Sequence, residues 1–455
     1  MNKHASVIAF FVLLLVSLAC GTTGPAPAVE TVDSRASERL TAATTETKEI
    51  PPTSPPPTST PSPTPSPTAK PPSPTPTEET LPCQDHPGGQ QLPLPVGYVG
   101  SVDAQTVELY DTDGELLGRK QTPGLSFLEP GQIHLGGGLA EGIAAIPLVY
   151  HSLEQGGVLK ASAGTAVTEL AQTPGLVTLI GAEGDSLIAY STNESDQATG
   201  GWISNLYVGE ISSLDGAPAR LSRSEGDGFV IYPLAVHMKA GVGQGIWYTL
   251  SMWGSGNIIF PPYNGLFYFR FGDSQVIEYL SVDQRLAGFS PDQTTVAFAL
   301  FQDGQPGGIQ LGLTVKNLVT CRETFIAINP GTNLGAGYVV FSPDNRYMAW
   351  LEASGPDNVQ ARMRLRVAET ASGNILVDSE TASLSSLAGG EVPSTVQPLG
   401  WPADHLLLLE VGLPSQVNPL LVVWAPDPTE PLDPALGANQ SAPLSEGVFA
   451  GFLYP

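Results

Sequence analysis

Residues 286–301 read LAGFSPDQTTVAFALF, and residues 339–352 read VVFSPDNRYMAWLE. In both, an apolar run meets Phe-Ser-Pro-Asp, and after three or four polar or bulky positions a second strand-like run begins around Ala297 or Ala349. Pro291 and Pro343 fix φ near the value that the second position of a turn needs, while Asp292 and Asp344 are placed to bond their own downstream backbone. Each stretch therefore reads as strand, turn, strand. A weaker copy, Gly400-Trp401-Pro402-Ala403-Asp404 followed by the apolar run 406–411, stands 60 residues after the second, as the second stands 52 after the first. Repetition at that spacing predicts an array of four-stranded sheets instead of one compact sheet.

A second periodic signal lies between these copies. Strand, turn, strand units occupy 106–119, 158–173, 205–223, 266–281, 312–328, 364–380 and 420–434, most with a hairpin signal at the centre such as Asp113-Gly114, Asp215-Gly216, Gly272-Asp273 or Ser372-Gly373. Their turn centres, Gly114, Gly164, Gly216, Gly272, Thr320, Gly373 and Asp427, lie 48 to 56 residues apart. The units read as the outer hairpins of propeller blades, and the Ser-Pro-Asp segments as the inner pair of the next blade. Residues 83–455 are thus expected to form an all-β, seven-bladed β-propeller, with six or eight blades as the neighbouring counts. The terminal run 447–454 is a strand free to pair with the blade begun near 95–102, and such closure leaves few exposed sheet edges.

The Phe-Ser-Pro-Asp turn followed by a strand with a small residue resembles the WD-like repeats of the TolB-like family of exported bacterial propellers. That resemblance implies the propeller fold and a role as a platform for protein contacts. Some members of the family are fused to peptidase domains, and no separate segment here reads as one.

The N-terminus agrees with export. Residues 1–20 carry a basic start at Lys3, an apolar stretch from Ala5 to Val16 and the ending Ser17-Leu18-Ala19-Cys20, a secretory signal too short to span a membrane comfortably. The ending resembles the lipobox of bacterial lipoproteins, which implies lipidation of Cys20; Ser17 departs from the usual Leu, and an ordinary cleaved signal ending in Cys is the alternative. Residues 21–82 are Thr, Pro, Ser, Ala and Glu with almost no bulky apolar residue, and cannot bury enough surface to offset their ordering entropy. This disordered linker has a polyproline-rich centre, 51–77, that reads as a spacer in an exported protein, with an SH3-type ligand as the other reading of its PxxP spacings.

Charged residues make up 14% of the 455, against about 25% in an average soluble protein, and the chain holds 50 Gly and 43 Pro. Long amphipathic helices are not expected. A net charge of −25 with nineteen Lys and Arg argues against nucleic acid as a partner, and against docking on an anionic lipid surface by charge alone.

No Gly-x-Ser-x-Gly, His-Glu-x-x-His or Cys-x-x-Cys occurs, and His134, His151, His237 and His405 fall in different repeats. No catalytic residue, metal ligand or cofactor is expected. Residues 241–245, GVGQG, lack a helix to aim their amides at a phosphate and read as a connection. Asp292 and Asp344 could be drawn as a carboxylate pair of the glycosidase kind, but chemistry needed once has no reason to recur at one place in each blade, whereas a turn residue does.

The most uneven segment is 246–271, with nine of the chain's 34 aromatic residues. Trp247, Tyr248, Phe267 and Phe269 are expected at blade interfaces. Trp253, Phe260 and Tyr263 flank or occupy its Gly, Asn and Pro loop and are the candidates for partner contact, core packing being the other reading. If Cys20 is lipidated, Cys83 and Cys321 remain, outside the cytoplasm where disulfides persist. They form a disulfide or stand as two free or intermolecular thiols.

The sequence is therefore read as a lipid-anchored, extracytoplasmic propeller, on the outer face of the envelope or in the periplasm. Its expected role is a non-catalytic binding platform for an unidentified protein or envelope component. The alternative is a propeller enzyme or solute-binding protein acting on a polysaccharide or small ligand at the axial channel.

Overall fold

In the computed structural model, the described residues run from His86 to Pro455, apart from short connecting stretches of which the longest is 425–440. Among them are two single-turn 3₁₀ helices, Glu154–Gly156 and Ile211–Ser213, and no α-helix. The strands make six antiparallel sheets, five of four strands and one of seven. The first has the order Val448–Leu453, Gly97–Ser101, Thr106–Asp111, Leu116–Gln121. The next two are Ile133–Leu135, Leu148–Ser152, Val158–Ala163, Ala166–Gln172, and then Leu176–Gly181, Leu187–Ser195, Trp202–Glu210, Leu221–Glu225.

The seven-stranded sheet runs Phe229–Lys239, Val242–Met252, Tyr263–Arg270, Val276–Phe289, Thr295–Phe301, Gln310–Asn317, Glu323–Ala327. Its middle strand serves twice. Residues 276–280 pair with Tyr263–Arg270, the register then jumps, and residues 285–289 pair with Thr295–Phe301. Counted that way the sheet contains two four-stranded sets, a fourth and a fifth, that share one long strand. The sixth set is Gly335–Phe341, Tyr347–Ser354, Arg362–Glu369, Ile375–Glu380, and the seventh is Thr395–Ala403, Leu406–Gly412, Leu420–Trp424, Ser441–Glu446.

The expected hairpins fall on the third and fourth strands of their sets, with one correction. The return strand of the last hairpin is Ser441–Glu446, beyond the expected limit at 434, and Asp427 lies outside the described residues. The long connection defeats a turn search that looks for a tight hairpin. The C-terminal strand pairs with Gly97–Ser101 as the sequence suggested, Val99 opposite Gly451 and Gly97 opposite Leu453.

Apolar clusters occupy the spaces between successive sets, which is why the central strands read as continuous apolar runs: Tyr347–Ser354 is buried at its six inner positions, while the outer Ile375–Glu380 has one fully buried residue. Leu109 and Tyr150 share the cluster between the first and second sets, Leu159 and Tyr190 the next, and Leu206 and Tyr248 the next. Trp247 with Phe298, Leu313 with Trp350, and Leu351 with Trp401 continue the series. The last joins Leu421 of the seventh set to Phe449 of the first. Burying one of the large rings contributes at most about 4–6 kcal/mol of transfer free energy. As expected, Trp247, Tyr248, Phe267 and Phe269 all lie in these inter-sheet clusters.

The first strands of neighbouring sets come so close that side chains must give way. A Cβ built at Gly288 would sit 2.2 Å from the carbonyl oxygen of Val339 and 2.7 Å from its Cβ. Residues 1–20 with Cys20, residues 21–82 and Cys83, expected as signal, linker and thiol, lie outside the described residues.

Candidate functional site

The two Phe-Ser-Pro-Asp turns match bond for bond. Ser290 Oγ donates to Asp292 Oδ1 at 2.6 Å and accepts from the Thr295 amide at 2.8 Å, while Asp292 Oδ1 also accepts from the Thr294 amide at 3.0 Å. Ser342, Asp344, Arg346 and Tyr347 repeat the arrangement at 2.7, 3.0 and 3.0 Å. Gln293 and Asn345 take the left-handed position at φ 64° and 57°, and their amides donate to Ser290 and Ser342 carbonyls at 2.9 Å. Both aspartates are thus turn acceptors, in line with the structural reading.

Gln293 carries a second burden. Its side chain is 1% exposed, and Oε1 accepts from Trp247 Nε1 at 3.0 Å and lies 2.8 Å from His237 Nδ1. Nε2 donates to Gln90 Oε1 and to the Val236 carbonyl, both at 3.0 Å. The Gln293 carbonyl bonds His86 Nε2 at 2.9 Å, and the Gln90 amide donates to the Asp292 carbonyl at 2.9 Å. Gln90 Oε1 also accepts from the Met238 amide at 3.0 Å. The His86 ring lies 5.4 Å from Trp247 and 5.9 Å from Tyr279. The segment 86–90 is therefore clipped to the fourth and fifth sets, far along the sequence from the first set that it leads into.

From this clip the chain continues as a strap. Residues 89–95 form one wall of a cavity of about 660 Å³ whose other walls are the turns and strand ends at Phe289–Asp292, 339–344, 399–401 and Phe452, Tyr454. A second cavity of about 600 Å³ shares Phe289, Val339, Val340 and Leu399 with the first. It lies between the first strands of the fourth, fifth, sixth, seventh and first sets, contributed by Leu234, Leu286, Gly337, Pro398 and Val448 among others. Together the two cavities follow the line on which the first strands converge.

Arg285 and Glu410 are on the wall of the second cavity. Arg285 is the first residue of the run 285–289 and so stands at the end away from the Ser-Pro-Asp turn. Its Nη2 donates to the Phe260 carbonyl at 2.6 Å and approaches the Pro261 carbonyl at 3.5 Å. Burial lowers its pKa, with Tyr338 offsetting part of that effect. Burial raises the pKa of Glu410, against the opposing effect of a hydrogen bond from the Phe449 backbone. Among the described residues neither makes an ion pair within 4.0 Å. Neither residue was singled out in the sequence, because each is one charged position in an otherwise ordinary strand.

The aromatic candidates separate. Phe260 is a correction: it is 3% exposed, its ring packs over Gly337 and 5.6 Å from the Tyr338 ring, and its backbone carbonyl faces Arg285. An exposed ring at this position would forgo that burial. Tyr263 is half-buried, its ring 4.7 Å from that of Tyr232 and tilted 38° to it, on the cavity wall. Trp253 lies outside the described residues.

Cys321 is disulfide-bonded, in the turn between Gln310–Asn317 and Glu323–Ala327, and its amide donates to the Asn317 carbonyl at 2.8 Å. The next link in that turn, Leu318 amide to Thr294 carbonyl at 2.7 Å, brings it beside the turn that holds residues 86–90. Cys321 thus stands near the clip at 86–90, and Cys83 lies outside the described residues.

His86 and His237 meet at Gln293, but no group of three His, Cys, Asp or Glu among the described residues is placed to hold a metal ion. His405 lies outside those residues. Burial pushes His134 and His151 down to about 4, and lowers His86 and His237. A histidine whose folded pKa lies below the unfolded value of about 6.5 contributes its full stability above that pH and loses it as the pH falls toward the folded value. The urea midpoint is therefore expected to fall between pH 7 and pH 4, with about 3 kcal/mol lost through His151 alone. A smaller acid loss in His151→Leu would support this assignment; an unchanged acid loss would refute it.

No family model matches this chain, and no curated protein matches it. Among solved structures it is similar to TolB from Acinetobacter baumannii, with 13% identity over 78% of this chain and 80% of that one at a TM-score of 0.35. It is also similar to an oligogalacturonate lyase in complex with manganese, with 13% identity over 80% and 86% at 0.44. A third similarity is to one of two prolyl endopeptidases, with 9% identity over 79% of this chain and 49% of that chain at 0.47. At these values the likenesses carry no argument about activity or partner, and the architecture rests on the strand pairings and the clusters between them.

Proposed function

We propose that the chain is a lipid-anchored, extracytoplasmic, seven-bladed β-propeller that acts as a non-catalytic binding platform for a protein or cell-envelope component. The observation that carries the architecture is cyclic. Apolar clusters join each four-stranded set to the next and the seventh to the first, and the last strand of the chain pairs with Gly97–Ser101. Closure of that kind protects sheet edges and gives a rigid body whose connecting loops are available for contact. The recurring carboxylates Asp292 and Asp344 serve as turn acceptors, which favours a platform over a two-carboxylate hydrolase. Export and anchoring through Cys20, and presentation on the linker 21–82, follow from the sequence reading. The link of Cys321 to Cys83 is supported by the clip at 86–90, and a digest made without reductant is expected to yield the two peptides joined.

The surface around the loop 253–262 is the proposed contact. Immobilised full-length protein is expected to retain a discrete protein or envelope component from solubilised membranes, and Trp253→Ala with Tyr263→Ala to lose it. Retention that is equal in both proteins, or no retention at all, would overturn the platform reading. Cys20→Ser is expected to move the protein from the membrane to the soluble fraction.

A further inference from the structure

We infer that the cavity between the first strands binds a small amino-carboxylate zwitterion, from an amino acid to a short peptide, with its carboxylate on Arg285 and its ammonium on Glu410. This goes beyond the platform reading and rests on Arg285 and Glu410, which that reading does not use. Arg285 is partly buried, and a guanidinium partly withdrawn from water needs an anion or enough acceptors to replace the hydration it loses. Arg285 has the Phe260 carbonyl at 2.6 Å and a second carbonyl at the limit of bonding, which leaves most of its five donors for another acceptor. No carboxylate among the described residues lies within 4.0 Å of it. A ligand carboxylate would complete the fork in the geometry that Arg favours.

Glu410 lines the same cavity of about 600 Å³ from the seventh set, two sets on from Arg285. Two opposite charges on one wall that do not meet define a ligand with two opposite charges. The aromatic rings on the same cavity wall fit the remainder: Tyr232 and Tyr263 lie 4.7 Å apart, tilted by 38°, and Phe260 and Tyr338 adjoin Arg285. Aromatic faces attract an ammonium and cover an apolar side chain or peptide plane. The volume suits a ligand of this size, with few polar groups fixing its orientation.

Calorimetric titration of the full-length protein with glycine, triglycine and 6-aminohexanoate tests charge separation, and acetate and methylammonium present one charge each. Saturable binding of at least one zwitterion is expected, at least tenfold tighter than either single-charge probe. Glu410→Gln keeps an acceptor for the Phe449 amide and is expected to weaken that binding at least tenfold without changing the melting temperature. Arg285→Gln is expected to abolish it. Binding of none of the three zwitterions, acetate binding as tightly as the best of them, or affinity unchanged in Glu410→Gln would overturn the proposal. Membrane capture is a separate readout, and Arg285→Gln and Glu410→Gln leave Trp253 and Tyr263 in place, so either result can fail alone.

Discussion

Gln293→Ala is expected to destabilise the protein by about 4 kcal/mol and to free the strap. The substitution removes one acceptor and one donor from a site that is 1% exposed, and the partners have nowhere else to turn: Trp247 Nε1, His237 Nδ1 and the Val236 carbonyl are all enclosed with it. Each buried polar group left without a partner costs about 1–3 kcal/mol. The left-handed φ of 64° adds nothing to this difference, because glutamine and alanine carry the same Cβ there. The loss extends to Gln90, which Gln293 Nε2 holds at 3.0 Å. Urea unfolding measures the first effect, and protease cleavage between residues 86 and 95 the second. A midpoint within 1 kcal/mol of the natural protein, with the strap still resistant, would show that the hub is not what holds the segment.

Gly288→Val should do as much damage through sterics alone. The new Cβ would fall 2.2 Å from the Val339 carbonyl oxygen, a backbone atom of the neighbouring first strand. Relief requires the fifth and sixth sets to separate where Leu313 and Trp350 share a cluster, so the contact cannot be relaxed by a rotamer change. Overpacking of this kind costs about 3 kcal/mol or more. Gly272 is the control, because a Cβ there meets nothing within 4 Å, and Gly272→Val is expected to stay within about 0.5 kcal/mol. Equal thermal stability of the two variants would contradict the close approach of the first strands.

Arg285 is held by the Phe260 carbonyl at 2.6 Å. A change in the backbone at Phe260 would therefore reach the second cavity through one hydrogen bond.

Sequence alone determined whatever is decided within a few residues or by a period. Phe-Ser-Pro-Asp specified its turn because Ser290, Asp292 and Thr295 satisfy one another across five positions, and the second copy does the same with Ser342, Asp344 and Tyr347. The hairpin spacing announced the four-stranded sets, and the apolar run at the C-terminus announced its pairing with Gly97–Ser101. Tertiary structure decided everything that depends on convergence. Phe260 turned inward over Gly337, and Gln90 met Gln293 across 203 residues. Arg285 and Glu410 came to one cavity from strands two sets apart. No local pattern encodes such meetings, because each strand is built for its neighbours in the sheet. What faces the common line of the first strands is fixed only when all the sets have packed.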